Sequence, residues 1–234
     1  MKSAKALLER IYTDEVFAQN IATDLFPVSI TRKQGEFLAC LVDTYKPKVL
    51  IELGFRYGVS SLWIQSARLV PKTHIIVDPF HHEPVPPNMT LIDTYIKKQK
   101  GIVFEERLMS QEYLATFFIA RKKADMIFVD ASQWFDSVMT DMFYISRVLK
   151  IQGIVIIRNL YNRPVRKAVM FYLRNLSYVI DGTPAWKNWI VKYVPIIGEV
   201  VLRIEQRRIG LCVLRLTGKD ERISNHLWRH FISF

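Results

Sequence analysis

Several apolar runs in this 234-residue chain end in side chains that could do chemistry. The first is "VLIELGFRYGVSSLWIQSA" (49–67), where an apolar run closes on Glu52 and passes through Gly54 and Gly58 to Ser60 and a helical pattern. Glycines in such a turn let the backbone approach a ligand closely and take left-handed angles. Taken alone, G-x-x-x-G is a weak signal, and its spacing is not the G-x-G-x-x-G of a dinucleotide site. Asp78 ends the next run, where a carboxylate can take both hydroxyls of a ribose. Asp130 ends another, and Arg158 and Asn159 end the one after it. An ordinary strand-to-helix turn with an N-cap is the plain alternative for the glycines and Ser60.

Short β strands must carry these residues. Candidates are "KVLIEL" (48–53), "HIIVD" (74–78), "IVFEERL" (102–108), "ADMIFVD" (124–130), "GIVIIR" (153–158) and a late "GLCVLRL" (210–216). Near-continuous apolar runs suit strands buried on both faces of a parallel sheet. Helical patterns lie between them. In 134–149, Phe135, Val138, Met142, Ile145 and Leu149 make one apolar face. Asn162 and Pro164 open another helix as cap and first-turn residues. Strand alternating with helix argues for a doubly wound α/β fold, whose ligands bind at the carboxyl ends of the strands. No internal repeat or flexible linker is visible, so residues 1–234 read as one domain. Residues 1–29 would be an N-terminal helical extension. Residues 183–206 would be an insertion, either packed on the sheet edge or forming an exposed lid or surface anchor.

Half the residues are hydrophobic, which suits a globular chain. Cys40 and Cys212 both sit in apolar runs and read as small buried hydrophobes in a reducing compartment. The N-terminus lacks the apolar centre of a signal peptide. The stretch "WIVKYVPIIGEVVLRI" (189–204) is too short and interrupted to span a bilayer. These features suggest a cytoplasmic protein. The net charge of +11 is unevenly placed: residues 1–146 hold 17 Lys/Arg and 17 Asp/Glu, and residues 147–234 hold 16 and 5. A basic C-terminal part fits a solvated face or an anionic partner. Trp186, Trp189, Ile190, Tyr193, Val194 and Ile197 share helical spacing beside Lys187, Lys192 and Arg203. That mixture raises a peripheral contact with an anionic membrane through 183–206.

The runs 30–67 and 124–160 together resemble class I S-adenosylmethionine-dependent methyltransferases. The closest likeness is to the O-methyltransferases that include catechol and caffeoyl-CoA O-methyltransferases, and it covers roughly residues 30–175. It implies a mostly parallel seven-stranded sheet with helices on both faces, the Rossmann-like methyltransferase fold. It also implies S-adenosyl-L-methionine as cofactor. Gly54 and Gly58 would lie along its methionine part, and Ser60 would bond its carboxylate at a helix N-terminus. Glu52 would orient the loop from beneath, Asp78 would hold the ribose, and Ser110 and Asp130 would complete the cofactor site.

The departures from the family are informative. Metal-dependent members read D-A-D-K at the end of the fourth strand and D-N at the end of the fifth. Here the first is "DASQ" (130–133) and the second is "RN" (158–159). A guanidinium offers a divalent cation no ligand, so no metal is expected. Arg158 would instead reach Asp130 from the neighbouring strand, unless it simply faces solvent. Asp130, Arg158 and Asn159 become the candidate catalytic group. His81 and His82 are candidate bases, although with Glu83 they also suit a solvated loop or a metal cluster. His226 and His230, around Trp228 and Phe231, suggest packing.

The first reading is a metal-independent methyltransferase of a small-molecule or glycan hydroxyl, with a homodimer as a further partner. Its rivals are a catalytically degenerate binding module that uses the basic, Trp-rich C-terminal region, and a nucleic-acid methyltransferase. The last rests on charge alone, and no NPPY-like tetrapeptide follows the fourth strand.

Overall fold

A computed structural model describes residues 3–13, 29–80 and 90–219. His81, His82, Glu83, His226 and His230 lie outside the described residues. Seven strands form a mostly parallel sheet in the order β3-β2-β1-β4-β5-β7-β6, so the doubly wound α/β expectation holds. The chain divides into two compact units, residues 1–109 and 110–234.

In the first unit, helix α1 (Ala4–Thr13) and helix α2 (Arg32–Tyr45) precede strand β1 (Val49–Leu53). Helix α3 (Val59–Ser66), strand β2 (Thr73–Val77), helix α4 (Thr90–Lys97) and strand β3 (Ile102–Glu105) follow. The three strands pair in parallel, with Leu50 opposite His74 and Ile75 opposite Val103. Thr31 and Gln34 start α2 with reciprocal side-chain and backbone bonds, a capping box. Inside this unit the aliphatics of β1 and β2 are sealed from water by α2 and α3, whose Leu38, Val42, Leu62 and Ile64 are buried. Cys40 is exposed, against the sequence expectation, while Cys212 is buried. The cause is helical geometry: Gly35, Leu38, Leu41 and Val42 form the buried side of α2, and Cys40 falls off that side.

The second unit runs through helix α5 (Ser110–Ile119), strand β4 (Ala124–Val129), helix α6 (Phe135–Val148), strand β5 (Leu149–Arg158) and helix α7 (Arg163–Asn175). Strand β6 (Tyr178–Ile180), helix α8 (Ala185–Tyr193), helix α9 (Pro195–Ile209) and strand β7 (Leu211–Leu216) complete it. β4 and β5 are parallel, while β7 runs antiparallel to both β5 and β6. The three-residue β6 is too short to show in a periodicity reading. Residues 183–206 fall largely in two helices, α8 ending at Tyr193 and α9 beginning at Pro195. No helix of the described residues is long and apolar enough to cross a membrane.

α1 reaches α3 through a polar link. Trp63 Nε1 donates to Tyr12 Oη at 3.1 Å, and Tyr12 donates to the Ile30 carbonyl at 3.2 Å. The Trp63 indole lies flat against Gly35, and a Cβ built on Gly35 would stand 2.0 Å from Nε1. Gly35→Ala therefore displaces the indole, and the cost of overpacking exceeds the gain in helix propensity of about 1 kcal/mol. We expect a net loss of about 1–2 kcal/mol, read as a lower thermal midpoint and a changed tryptophan fluorescence.

Candidate functional site

The turn from β1 to α3 is shaped by two glycines in left-handed backbone geometry. Gly54 has φ 94° and Gly58, the residue before α3, has φ 74°. Gly58 is required twice over, because a side chain there would also run into the Phe55 ring at 2.5 Å. Phe55 is itself fixed, buried and edge-on to Phe104 with ring centres 5.3 Å apart. Arg56 between the glycines also takes a positive φ of 48°.

Asp78 holds this turn from the end of β2. Its Oδ2 accepts the Phe55 and Arg56 amides at 2.8 and 2.9 Å, and its Oδ1 accepts the Phe80 amide at 2.9 Å. The sequence assigned Asp78 to a ribose. In the structure three of its roughly four acceptor positions are used by backbone, so anchoring the turn is its first task.

Beneath the turn Glu52 is wholly buried. Ser60 Oγ donates to its Oε1, Ser61 Oγ to its Oε2 at 2.5 Å, and His74 Nε2 lies 2.8 Å from Oε2. Gln65 Nε2 lies 3.2 Å from His74 Nδ1 on the far side of the ring. The Ser60 hydroxyl, read from sequence as a donor to a ligand carboxylate, thus gives its proton to Glu52. What α3 offers an anion is its first-turn amides, which lack intrahelical acceptors. Sequence reasoning missed His74 and Ser61. The available signal was one titratable residue in each of two adjacent apolar strands.

In the second unit, the ends of β4 and β5 bring Asp130, Arg158 and Asn159 together. Arg158 Nη1 lies 2.9 and 3.2 Å from the two Asp130 oxygens, and Asn159 Nδ2 donates to Oδ1 at 3.1 Å. Arg158 and Asn159 are buried, and Asn159 takes φ 66°, a left-handed geometry asparagine tolerates. Asn162 stands before α7 as expected, yet its amide donates to Gln133 rather than capping the helix. Buried Arg166 steadies the same loop, donating to the Leu160 and Tyr161 carbonyls at 3.0 Å each and to Glu199 at 2.9 Å. Among the described residues no three His, Cys, Asp or Glu side chains converge as a metal site.

Ser110, predicted to lie beside the cofactor, packs its hydroxyl against α6. Its Oγ lies 2.8 Å from Gln111 Oε1 and 3.0 Å from Asp141 Oδ2. One hydroxyl proton cannot serve both acceptors, but a protonated Asp141 can donate to Ser110 while Ser110 donates to Gln111. Burial pushes the Asp141 pKa up to about 7, with the Ser110 bond opposing. Asp141 was also missed from sequence, although it breaks the apolar face formed by Val138, Met142 and Ile145.

Residues 51–159 match the model of a methyltransferase domain family. No curated protein matches the chain. An O-methyltransferase from Bacillus cereus in complex with SAH aligns with a TM-score of 0.55 at 14% identity, over 74% of this chain and 81% of that one. Cofactor-bound Rv0187 from MTB aligns with a TM-score of 0.55 at 12% identity, over 94% of this chain and 100% of that one. At such identities these structures share the fold with this chain.

Two outcomes follow from the buried acids. Glu52→Ala leaves three buried donors without an acceptor, at about 1–3 kcal/mol each, and should cost at least about 3 kcal/mol in denaturant unfolding. Asp141 titrates at about 7 folded against an ordinary 3.8. An acid with a raised folded pKa stabilises the fold least when deprotonated, so stability falls as pH rises from about 4 through about 7. Asp141→Asn should remove that slope, a difference on the order of 1–3 kcal/mol between unfolding curves at the two ends of this range.

Proposed function

We propose that this chain, whose residues 51–159 match a methyltransferase domain family, transfers a methyl group from S-adenosylmethionine to the hydroxyl of a small-molecule acceptor, a glycan among the candidates, without a divalent metal. The observation that carries this reading is the Gly54–Gly58 turn, pinned by Asp78 and opening onto the N-terminus of α3. Such a turn fits the methionine end of the cofactor: left-handed glycines permit close backbone approach, and first-turn amides favour a carboxylate. S-adenosylmethionine supplies an electrophilic methyl group on a sulfonium, so alignment of the acceptor oxygen is a large part of the catalysis.

Each residue's part follows from its surroundings. Glu52, through Ser60 and Ser61, holds the start of α3 rigid beneath the turn. Asp78 keeps the Phe55 and Arg56 amides in place, with acceptor capacity left for one ribose hydroxyl. Asp130 corresponds by resemblance to a metal ligand of the metal-dependent relatives. Here Arg158 and Asn159 already occupy its oxygens, and Arg158 adds a positive charge that opposes a cation. We assign this group to orienting the acceptor and to stabilising negative charge on its oxygen. His74 is sealed against Glu52 and has no access to an acceptor, so it is a structural residue.

Calorimetry with S-adenosylhomocysteine tests the cofactor assignment. Wild type should bind, and Asp78→Ala should weaken binding by about 1.5–3 kcal/mol through loss of charge-assisted hydrogen bonds. No heat with wild type, or an unchanged affinity in the variant, overturns it. Screening hydroxyl acceptors with labelled cofactor in excess chelator tests the chemistry. Turnover should persist, and abolition by chelator with rescue by Mg²⁺ would contradict the role given to Arg158.

A further inference from the structure

α8 and α9 expose an apolar surface that methyl transfer does not use. Trp186, Trp189 and Tyr193 recur at three and four residues and form one stripe of α8, with Trp186 61% and Trp189 58% exposed. On α9, Ile196, Val200 and Ile204 form a second stripe, and Ile196 is 82% exposed. The opposite sides of the helices carry buried Val191 and Leu202. The two helices are in close contact, because a Cβ on Gly198 would stand 2.8 Å from the Val191 carbonyl oxygen. The hairpin is therefore packed on its inner side, and its outer aromatics are surplus to the core.

Charge says what this surface suits. The Lys187 ammonium lies 5.6 Å from the Trp186 ring centre, and that of Lys192 lies 5.7 Å from the Tyr193 ring centre. Arg203, half-exposed one turn from Val200, is paired with Glu199. Glu199 on the same helix is already neutralised by Arg166, Lys167 and Arg203 at 2.9, 3.5 and 3.1 Å, which hold its pKa down at about 2. Residues 147–234 carry 16 Lys/Arg against 5 Asp/Glu. Tryptophan and tyrosine prefer the boundary between hydrocarbon and water, and lysines there meet anionic headgroups.

We propose that the α8–α9 hairpin docks this protein on the surface of an anionic phospholipid bilayer, aromatic stripe inward and lysines at the headgroups. A second copy of the chain is a poorer occupant. A two-fold contact would set the same cations against each other, whereas an anionic surface attracts them.

Co-sedimentation of the full chain with phosphatidylcholine vesicles, with and without about 30 mol% phosphatidylserine, tests the proposal. Wild type should bind the anionic vesicles at low salt. Binding should fall at least about tenfold at about 0.5 M salt, where the Debye length shrinks to a few ångströms. Trp186→Ser/Trp189→Ser should lose about tenfold or more with an unchanged melting temperature, because both side chains are largely exposed. If that variant melts early, Lys187→Glu/Lys192→Glu decides instead, because it leaves the aromatic residues in place, and it should show the same loss. The proposal is overturned if wild type ignores anionic vesicles, or binds neutral vesicles equally. It is also overturned if the folded variants bind like wild type. A stable solution dimer that the tryptophan variant dissolves would give the surface to a second copy.

Discussion

A single buried carboxylate organises the first unit. Glu52 sits at no measurable exposure and survives there because three donors from α3 and β2 converge on it. A buried charge without partners is among the costliest features a fold can carry. Each donor is therefore tied to a position: Ser60 and Ser61 must begin a helix, and His74 must lie alongside in the neighbouring strand. The direction in which α3 leaves β1 follows from that requirement. Gly58 then makes the turn sterically feasible, and Asp78 closes it from above through the amides of Phe55 and Arg56.

The second unit solves a similar problem with a cation. Asp130 and Arg158 stand at the ends of adjacent parallel strands, where side chains of one sheet face meet. Arg158 is buried and Asp130 partly so, and Asn159 adds a third contact that its left-handed backbone permits. Arg166 extends the arrangement outward, tying the loop after β5 to Glu199 of α9. The loop with the candidate catalytic residues and the helix with the exposed surface thus share one guanidinium.

Much of this could be read from residue order alone, because strands buried on both faces leave long apolar runs and their ends leave acids and glycines. The α/β class, the strand positions near Glu52, Asp78, Asp130 and Arg158, and the break at Pro195 all follow from local chemistry. The contact of Arg158 with Asp130 was expected only through the family resemblance, which makes the fourth and fifth strands neighbours, and the structure shows it.

What tertiary structure alone decided is where each polar side chain spends its hydrogen bonds. Ser60, Ser110 and Asp78 carry the residue types of a ligand site, yet their hydrogen bonds go to Glu52, to Gln111 and Asp141, and to the turn's own amides. His74 and Asp141 are single polar letters inside apolar patterns, and no local rule says which distant donor or acceptor makes them tolerable. Cys40 lay in an apolar run but turned outward, because a helix face is set by what packs on it and not by the hydropathy of one stretch. Sequence periodicity reports which residues prefer to leave water, a local free energy. The partners that satisfy a buried charge are a property of three-dimensional packing, and they appear only when strands far apart in the chain lie side by side.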